Sequence, residues 1–423
     1  MKTLSYFKDE SKVFYEKMSC GLDVYVIPNN NCNNYHVELV VKYGSSVKEF
    51  IPIGENDYIK LPLGVAHFLE HKMFDTEDGD AFSFYSKTGT YINAGTNYFS
   101  TRYYMDGSKY FKKNMDYLLS LVYTPYFKED SVNREKGIIE EEIKMYDDEV
   151  DWELDHESKK SLFYTTVNEK IAGTKESIKL INTDILNKTF NTFYQPSNMF
   201  LVATGHVNQK EIIDIIKNNA AINKVKTNQE IIIKKGKEPV TVKEEYHLVP
   251  ASIVIPKLSY SFKFDLDTLG KEKIVNKLYL NLLFTYLFGD TSKFYEKVSE
   301  NKIAVDFFVD HLSFDNIYTI TIEAESEYAD LFKDEVDSTI SKIDINEEDF
   351  ERIKKVWLSV IIRCLDNKEA LAHSIVEDIL KDGMVSDQEE LINKINYQEL
   401  LNVISKLDFN NKSFILMVPK EKD

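Results

Sequence analysis

Short apolar runs bounded by Pro, Gly or Asn recur along the chain and predict strands. Leu22–Ile27 runs into Pro28 and an Asn-rich turn at 29–34, and His36–Tyr43 is ended by Gly44-Ser45-Ser46. After Gly64 the period changes, because Val65, Leu69 and Phe74 fit helical spacing better than alternation. A second helix is predicted over Asp80–Lys87. Tyr91–Asn97 and Phe99–Met105, rich in β-branched and aromatic residues, predict a hairpin. Further helices are expected over Tyr110–Val122, stopping before Pro125, and over Lys128–Met145, whose first turn is acidic. Another is expected over Asp151–Phe163. Met199–Gly205 reads as a closing strand and Gln209–Asn218 as a helix. Lys224–Glu245 is polar, Lys/Glu-rich and carries Pro239, and it reads as a linker.

The second half repeats this order. Strands are predicted at Ser252–Ile255, Leu258–Phe262, Ala304–Val309 and Ile317–Ile322, with an apolar helix at Ile274–Phe288 between the two pairs. Helices at Glu327–Ile340 and Glu347–Asp366 and a closing strand at Phe414–Val418 complete it. Such an order suggests an internal duplication. The expected plan is a first domain at 1–223, a linker at 224–245 and a second domain at 246–423. Glu129-Asp130 matches Glu348-Asp349, a register that sets Ile361 opposite Glu142. The apolar helix has no His, so the second copy is expected to be metal-free.

Composition narrows the classes. A chain of 423 residues exceeds one ordinary core, and 43% hydrophobic content is ample for two. The formal charge of −18 argues against nucleic acid as a partner, since phosphate neutralisation needs a basic surface. Arg is scarce: only Arg102, Arg134, Arg352 and Arg363. Cys20, Cys32 and Cys364 are too few and too scattered for a disulfide framework. The first ten residues lack an apolar signal core, and no run is long enough to span a membrane. A cytoplasmic protein is the expectation.

The chemistry concentrates in His67-Phe68-Leu69-Glu70-His71. Positions four apart share a helix face, so His67 and His71 can aim two imidazoles at one point. Glu70 stands beside His71, within reach of a water held there. Two imidazoles and a non-ligating carboxylate suit a zinc hydrolase, and the order is the inverted form of the commoner motif. A tetrahedral ion still lacks a protein ligand. The helix Lys128–Met145 offers Glu129, Glu135, Glu140, Glu141 and Glu142. Val132, Ile139 and Ile143 mark its core stripe, and Glu135 and Glu142, seven apart, border it. A merely solvated acidic face is the competing reading, and spacing alone leaves Glu142 undecided.

Three segments resemble the pitrilysin/insulinase family of inverted zinc peptidases, which includes the mitochondrial processing peptidases. They are Gly44–Glu49 ahead of Gly64–His71, then Tyr91–Thr96 with Thr101–Tyr104, and finally Glu135–Ile143. The resemblance is strong over Leu22–Gly205 and weaker beyond. It implies an α+β fold of two homologous αβ-roll domains, each an antiparallel-type sheet with helices on one side. It implies one Zn2+ per chain, held by His67, His71 and Glu142. Glu70 would be the general base, Glu135 an assisting residue, and Asn93 and Ala94 part of a strand that pairs with substrate.

The resemblance also implies an Arg and a Tyr seven apart in the second half, helping to hold substrate. Lys293–Phe308 contains no Arg, and Ser299 and Asp306 fall where the pair is expected. The expectation is therefore a zinc endopeptidase acting on short or unfolded peptides and completed by a second homologous subunit, a heterodimer rather than a homodimer. The alternative is a non-catalytic binding or scaffold subunit on the same fold.

Overall fold

The computed structural model describes residues 2–7, 11–77, 79–165, 167–225 and 228–420. The chain forms two compact units. The first consists of 1–144, 170–235 and 362–387, and the second of 145–169, 236–361 and 388–423. The expected linker contains one crossing point, between Lys235 and Gly236. The units are nevertheless not the contiguous halves 1–223 and 246–423, because each takes a segment from the other half of the sequence.

The sheets explain why. In chain order the long strands of the first unit are β1 (Lys2–Phe7), β2 (Ser11–Lys17), β3 (Asp23–Pro28), β4 (Tyr35–Val41), β5 (Tyr91–Thr96), β6 (Thr101–Gly107) and β7 (Met199–Gly205). Those of the second are β8 (Tyr246–Ala251), β9 (Lys257–Asp265), β10 (Asp306–Phe314), β11 (Ile317–Glu325) and β12 (Lys412–Pro419). The first sheet runs β1-β2-β3-β7-β4-β6-β5 and the second β8-β12-β9-β11-β10. From β3 onward the first order is the second order. In each, the first pair is parallel and the remaining pairs antiparallel. The internal repeat is thus present in topology, with β1 and β2 added to the first copy.

The helices used below are α1 (Val65–Lys72), α2 (Glu129–Asp148), α3 (Val150–Leu162), α4 (Lys273–Phe288), α5 (Glu347–Asp366) and α6 (Lys368–Asp382). Every residue of β4 and β7 is buried, so both faces of the first sheet are covered. Tyr35 of β4 packs edge-on against Phe111 on one face. On the other, α6 lies across β4 and β7 and buries Leu371, Ala372, Ile375, Val376 and Ile379. In the second unit α3 does the same for β9 and β12, around Leu154, Ile415 and Met417. The expected helices on one side of each sheet therefore gain one on the opposite side, drawn from the distant half of the chain. Periodicity reports that a helix is amphipathic and says nothing about which sheet it covers.

Most predicted elements lie within two or three residues of their expected bounds. One correction concerns Ser252–Ile255, which forms no strand; the strand is Tyr246–Ala251. Pro250 masked it, yet β8 is the sheet's outermost strand, where the missing N–H is tolerated. The segments forming β1, β2 and α6 carried no prediction.

Candidate metal centre

The motif helix α1 begins where the backbone makes a left-handed step. Gly64 caps it at φ 87°, and a Cβ there would meet the carbonyl oxygen of Ala172 at 2.4 Å. Only glycine fits both the dihedral and the close approach. Seven of the eight residues of α1 are buried, including His67, Glu70 and Lys72. The ammonium of Lys72 is bonded to Asp75 and Ser131, and Ser131 also donates to Asp75 at 2.5 Å. Ser131 lies in the first turn of α2, so this buried group ties the end of α1 to the helix that carries the acids.

That tie brings the predicted ligands together. Nε2 of His67 is 3.5 Å from Oε1 of Glu142, and Nε2 of His71 is 3.3 Å from Oε2. The ligand atoms of His67, His71 and Glu142 all lie within 4.8 Å of one another. The two imidazole rings stand 4.6 Å apart, tilted by 58°. Glu135, one heptad before Glu142, approaches the other nitrogen of His71, with Oε1 3.0 Å from Nδ1. Nδ1 of His67 is buried and has no such partner among the described residues. Glu141 is exposed, and Glu129 and Glu140 stand outside the cluster.

Two nitrogens and one carboxylate oxygen on rigid helices match zinc's preferences, and leave a position for water. Sites for calcium or magnesium are built from oxygen alone. The electrostatics agree. Burial by itself would lower the basicity of His71. Hydrogen bonds to Glu135 and Glu142, with the charges of Glu142 and Glu70, overcome it and push the ring up to about 10. The pocket is a concentration of negative charge that a divalent cation would neutralise.

Glu70 is not part of the triangle. Its Oε2 accepts a hydrogen bond from Thr96 Oγ1 at 2.6 Å. Thr96 ends β5, the outermost strand of the first sheet. Thr101 Oγ1, 3.3 Å from that of Thr96, donates to the carbonyl of Tyr43 at 3.0 Å. Sequence reading did not single out Thr96. The only signal was alternation, since Ala94 and Thr96 share the strand face turned toward α1. Asn93 faces the other way; its amide donates to Tyr91 Oη at 2.9 Å, and its own Oδ1 accepts from the Ala94 N–H. Ser299 and Asp306 are both exposed, the first on a short helix and the second at the start of β10.

Among the described residues one other grouping has ligand-type side chains: His36, Asp106 and Glu369. Here Nζ of Lys368 lies 2.9 Å from Asp106 and 2.8 Å from Glu369. An ammonium already supplies the cation, so this is an ion-pair network binding α6 to the sheet. Among the described residues the second unit holds no metal-type cluster.

Comparison with known proteins gives the same family twice. Residues 26–175 match the model of the insulinase family, peptidase family M16, and residues 181–356 match that of the M16 inactive domain. YmfH of Bacillus subtilis, described as an uncharacterized zinc protease, is 32% identical over 411 residues and 96% of each chain. A probable mitochondrial-processing peptidase subunit beta of Arabidopsis thaliana is 29% identical over 163 residues, 36% of this chain and 30% of that one. The crystal structure of an M16-like peptidase from Alicyclobacillus acidocaldarius superposes with a TM-score of 0.88 at 24% identity, covering 98% of this chain and all of that one.

Proposed function

Because this chain belongs to the M16 (insulinase) peptidase family, we propose that it is a zinc endopeptidase acting on short or unfolded peptides, with its active centre in the first unit. The convergence of His67, His71 and Glu142 beside Glu70 carries the reading. Bound zinc would supply the Lewis acid that acidifies a water and polarises the scissile carbonyl. Glu70 accepts the proton of the attacking water and passes it to the departing amine. Thr96 holds one oxygen of Glu70, leaving the other for that proton. Glu135 orients the His71 ring through Nδ1, a positioning role rather than a contact with substrate. The outer edge of β5, with Asn93 and Ala94, holds an extended peptide by main-chain pairing, which reads little of its sequence.

We further propose a second, homologous but different subunit. Ser299 and Asp306 stand where the family resemblance implies an Arg and a Tyr, and two copies of this chain would both lack them. A cytoplasmic location suits the three free cysteines. Among the described residues, no helix is long and apolar enough to cross a membrane.

The test compares wild type with Glu70→Gln, alone and with the candidate partner, for bound zinc and for turnover of a quenched peptide. Both should retain one zinc, and only wild type should turn over. Absence of turnover from wild type with its partner would favour the non-catalytic scaffold. Full activity of a pure homodimer would remove the second subunit from the scheme.

A further inference from the structure

In the second unit α3 lies over β9 and β12 and leaves the neighbouring strands β11 and β10 partly uncovered on that face. The opposite face of β10 and β11 looks onto α4 and α5, with Phe284 stacked on Tyr318. Between α3 and the two strands lies a cavity of about 280 Å3. Trp152, Phe163 and Phe308 give its wall aromatic surface, and Asp155, Asp310 and Glu323 give it carboxyl groups.

The sheet register places two of these acids. Asp310 is opposite Thr321, and Phe308 is opposite Glu323. Asp310 and Glu323 are therefore diagonal neighbours on one face, roughly 7–8 Å apart. Neither side chain has a hydrogen bond or an ion pair among the described residues. Asp310 is exposed. Glu323 is 5% exposed, and its carboxyl forms part of the cavity wall and is not sealed beneath it. Lys159, the one ammonium on the wall among the described residues, is held by both oxygens of Asp155 at 2.5 and 2.6 Å.

The first unit shows what is missing. There β6, the counterpart of β11 in strand order, turns Asp106 toward α6. Nζ of Lys368 answers it at 2.9 Å and Nδ1 of His36 at 3.1 Å. In the second unit β11 turns Glu323 toward α3, whose Asp155 and Asp151 add charge of the same sign. A buried carboxyl without a partner is costly, and a cation in the cavity would offset that cost. Two acceptors on different strands suit a compact ammonium, whereas a guanidinium fork matches the two oxygens of a single carboxylate. The aromatic wall takes a methylene stem and attracts the charge to its ring faces. Among the described residues these oxygens do not gather closely enough to hold a metal ion.

We propose that this cavity binds a primary alkylammonium group, its charge between Glu323 and Asp310 and its methylene stem along Phe308 and Phe163. The chemistry is that of a lysine side chain or of a free polyamine. The proposal goes beyond the peptidase reading and stands whether or not the first unit hydrolyses anything.

The test uses the full chain and calorimetry at low salt. Two probes carry the group, Nα-acetyl-lysinamide and cadaverine. At least one should saturate with a Kd of roughly 0.1–1 mM, as ligands of this size permit, and the tighter of the two identifies the source. N-Acetylnorleucinamide, similar in shape but uncharged, should give no saturable heat. Glu323→Gln should weaken binding about ten- to hundredfold and Asp310→Asn about tenfold, each losing one charge-assisted contact. Glu323→Gln removes a buried acid and keeps its shape, and its melting temperature confirms folding. Asp151→Asn is the control. Asp151 is exposed and bonded to Lys257 at 2.7 Å, so affinity should change less than about threefold. No saturation with either probe, equal binding of the neutral analogue, or unchanged affinity in Glu323→Gln or Asp310→Asn would overturn the site. Equal losses in all three variants would also overturn it, because they would reveal attraction by a diffuse acidic field.

Discussion

Individual side chains in the first unit divide by what they touch. Glu70 touches the reacting water in the proposed mechanism, so Glu70→Gln should cut turnover by roughly 10²–10⁴ while zinc stays bound. Glu135 touches only a ligand. Glu135→Gln should therefore weaken zinc about 10–100-fold, measured by competition with a chelator. Thr96 touches the base and, at 3.3 Å, the hydroxyl of Thr101. Losing one hydrogen bond to a charged group costs about 1.5–3 kcal/mol, so Thr96→Val should lower kcat roughly 10–100-fold with KM unchanged, and Thr96→Ser should restore it. A different residue governs the second unit's response to pH. Glu323 is buried with 5% of its surface exposed, and burial first, then the charges of Asp155, Asp151 and Asp310, pushes its carboxyl up to about 8 against Lys159. Its pKa is raised on folding. The unfolded chain therefore releases this proton near the ordinary value of 4.5 while the folded chain keeps it, and stability falls as pH rises from there to about 8. Glu323→Gln should raise the stability of the second unit at pH 8 by up to roughly 4 kcal/mol and change little at pH 4.

At the level of elements, α6 behaves as a clasp. It is held to the first sheet by its apolar stripe and by buried charge. Arg102 of β6 lies 2.9 Å from His373 Nδ1 and pairs with Glu377. Burial, followed by the Arg102 charge, lowers the pKa of His373, which keeps that ring a neutral acceptor. His36 sits between Glu38 at 3.0 Å and Asp106 at 3.1 Å. Burial opposes its charge, but the two carboxylates raise it to about 9. This contribution is complete below about pH 6.5 and is lost as pH rises through 9. Thermal melting should show a step of instability over that range that His36→Gln removes. Ile375→Ala, at a fully buried position of α6, should destabilise the first unit by roughly 2–5 kcal/mol. Gly64→Ala should be worse than a surface change of the same size, because φ 87° and the Ala172 carbonyl leave no room for a methyl group. Melting temperature and zinc content should fall together, since Gly64 sets where α1 starts.

On the scale of the whole molecule, the exchange of α3 and α6 makes the two halves of the sequence inseparable. A fragment ending at 235 would carry α3 without its sheet and leave the α6 face of its own sheet bare. We expect such a fragment to aggregate or bind a hydrophobic dye, and addition of 236–420 in trans to relieve this. Clean folding of the isolated fragment would show that the clasp is dispensable. The duplication has a functional side as well. One copy retains His67, Glu70 and His71, and the other has Asn281, Phe284 and Thr285 at the same spacing. Equal topology thus supports a metal-type cluster in one unit and an acidic cavity in the other.

Local pattern alone determined a good deal. Apolar spacing, with Pro and Gly as punctuation, delimited most strands and helices, because burial on one face imposes a period of 2 or 3.6 wherever the fold places it. The motif's own spacing brought two imidazoles to one helix face, since α-helical geometry needs no tertiary information. Spacing on α2 left Glu135 and Glu142 both beside the core stripe, and only the resemblance pointed to Glu142; the crossing of α1 and α2, fastened through Lys72, Asp75 and Ser131, is what brings Glu142 to both rings. The same holds for Thr96, which is an ordinary strand residue until β5 is laid beside α1. It holds too for α3 and α6, whose amphipathic faces are written in the chain while the sheets they cover lie in the opposite half. Contacts between residues far apart in sequence depend on how whole elements pack, and no local period encodes that.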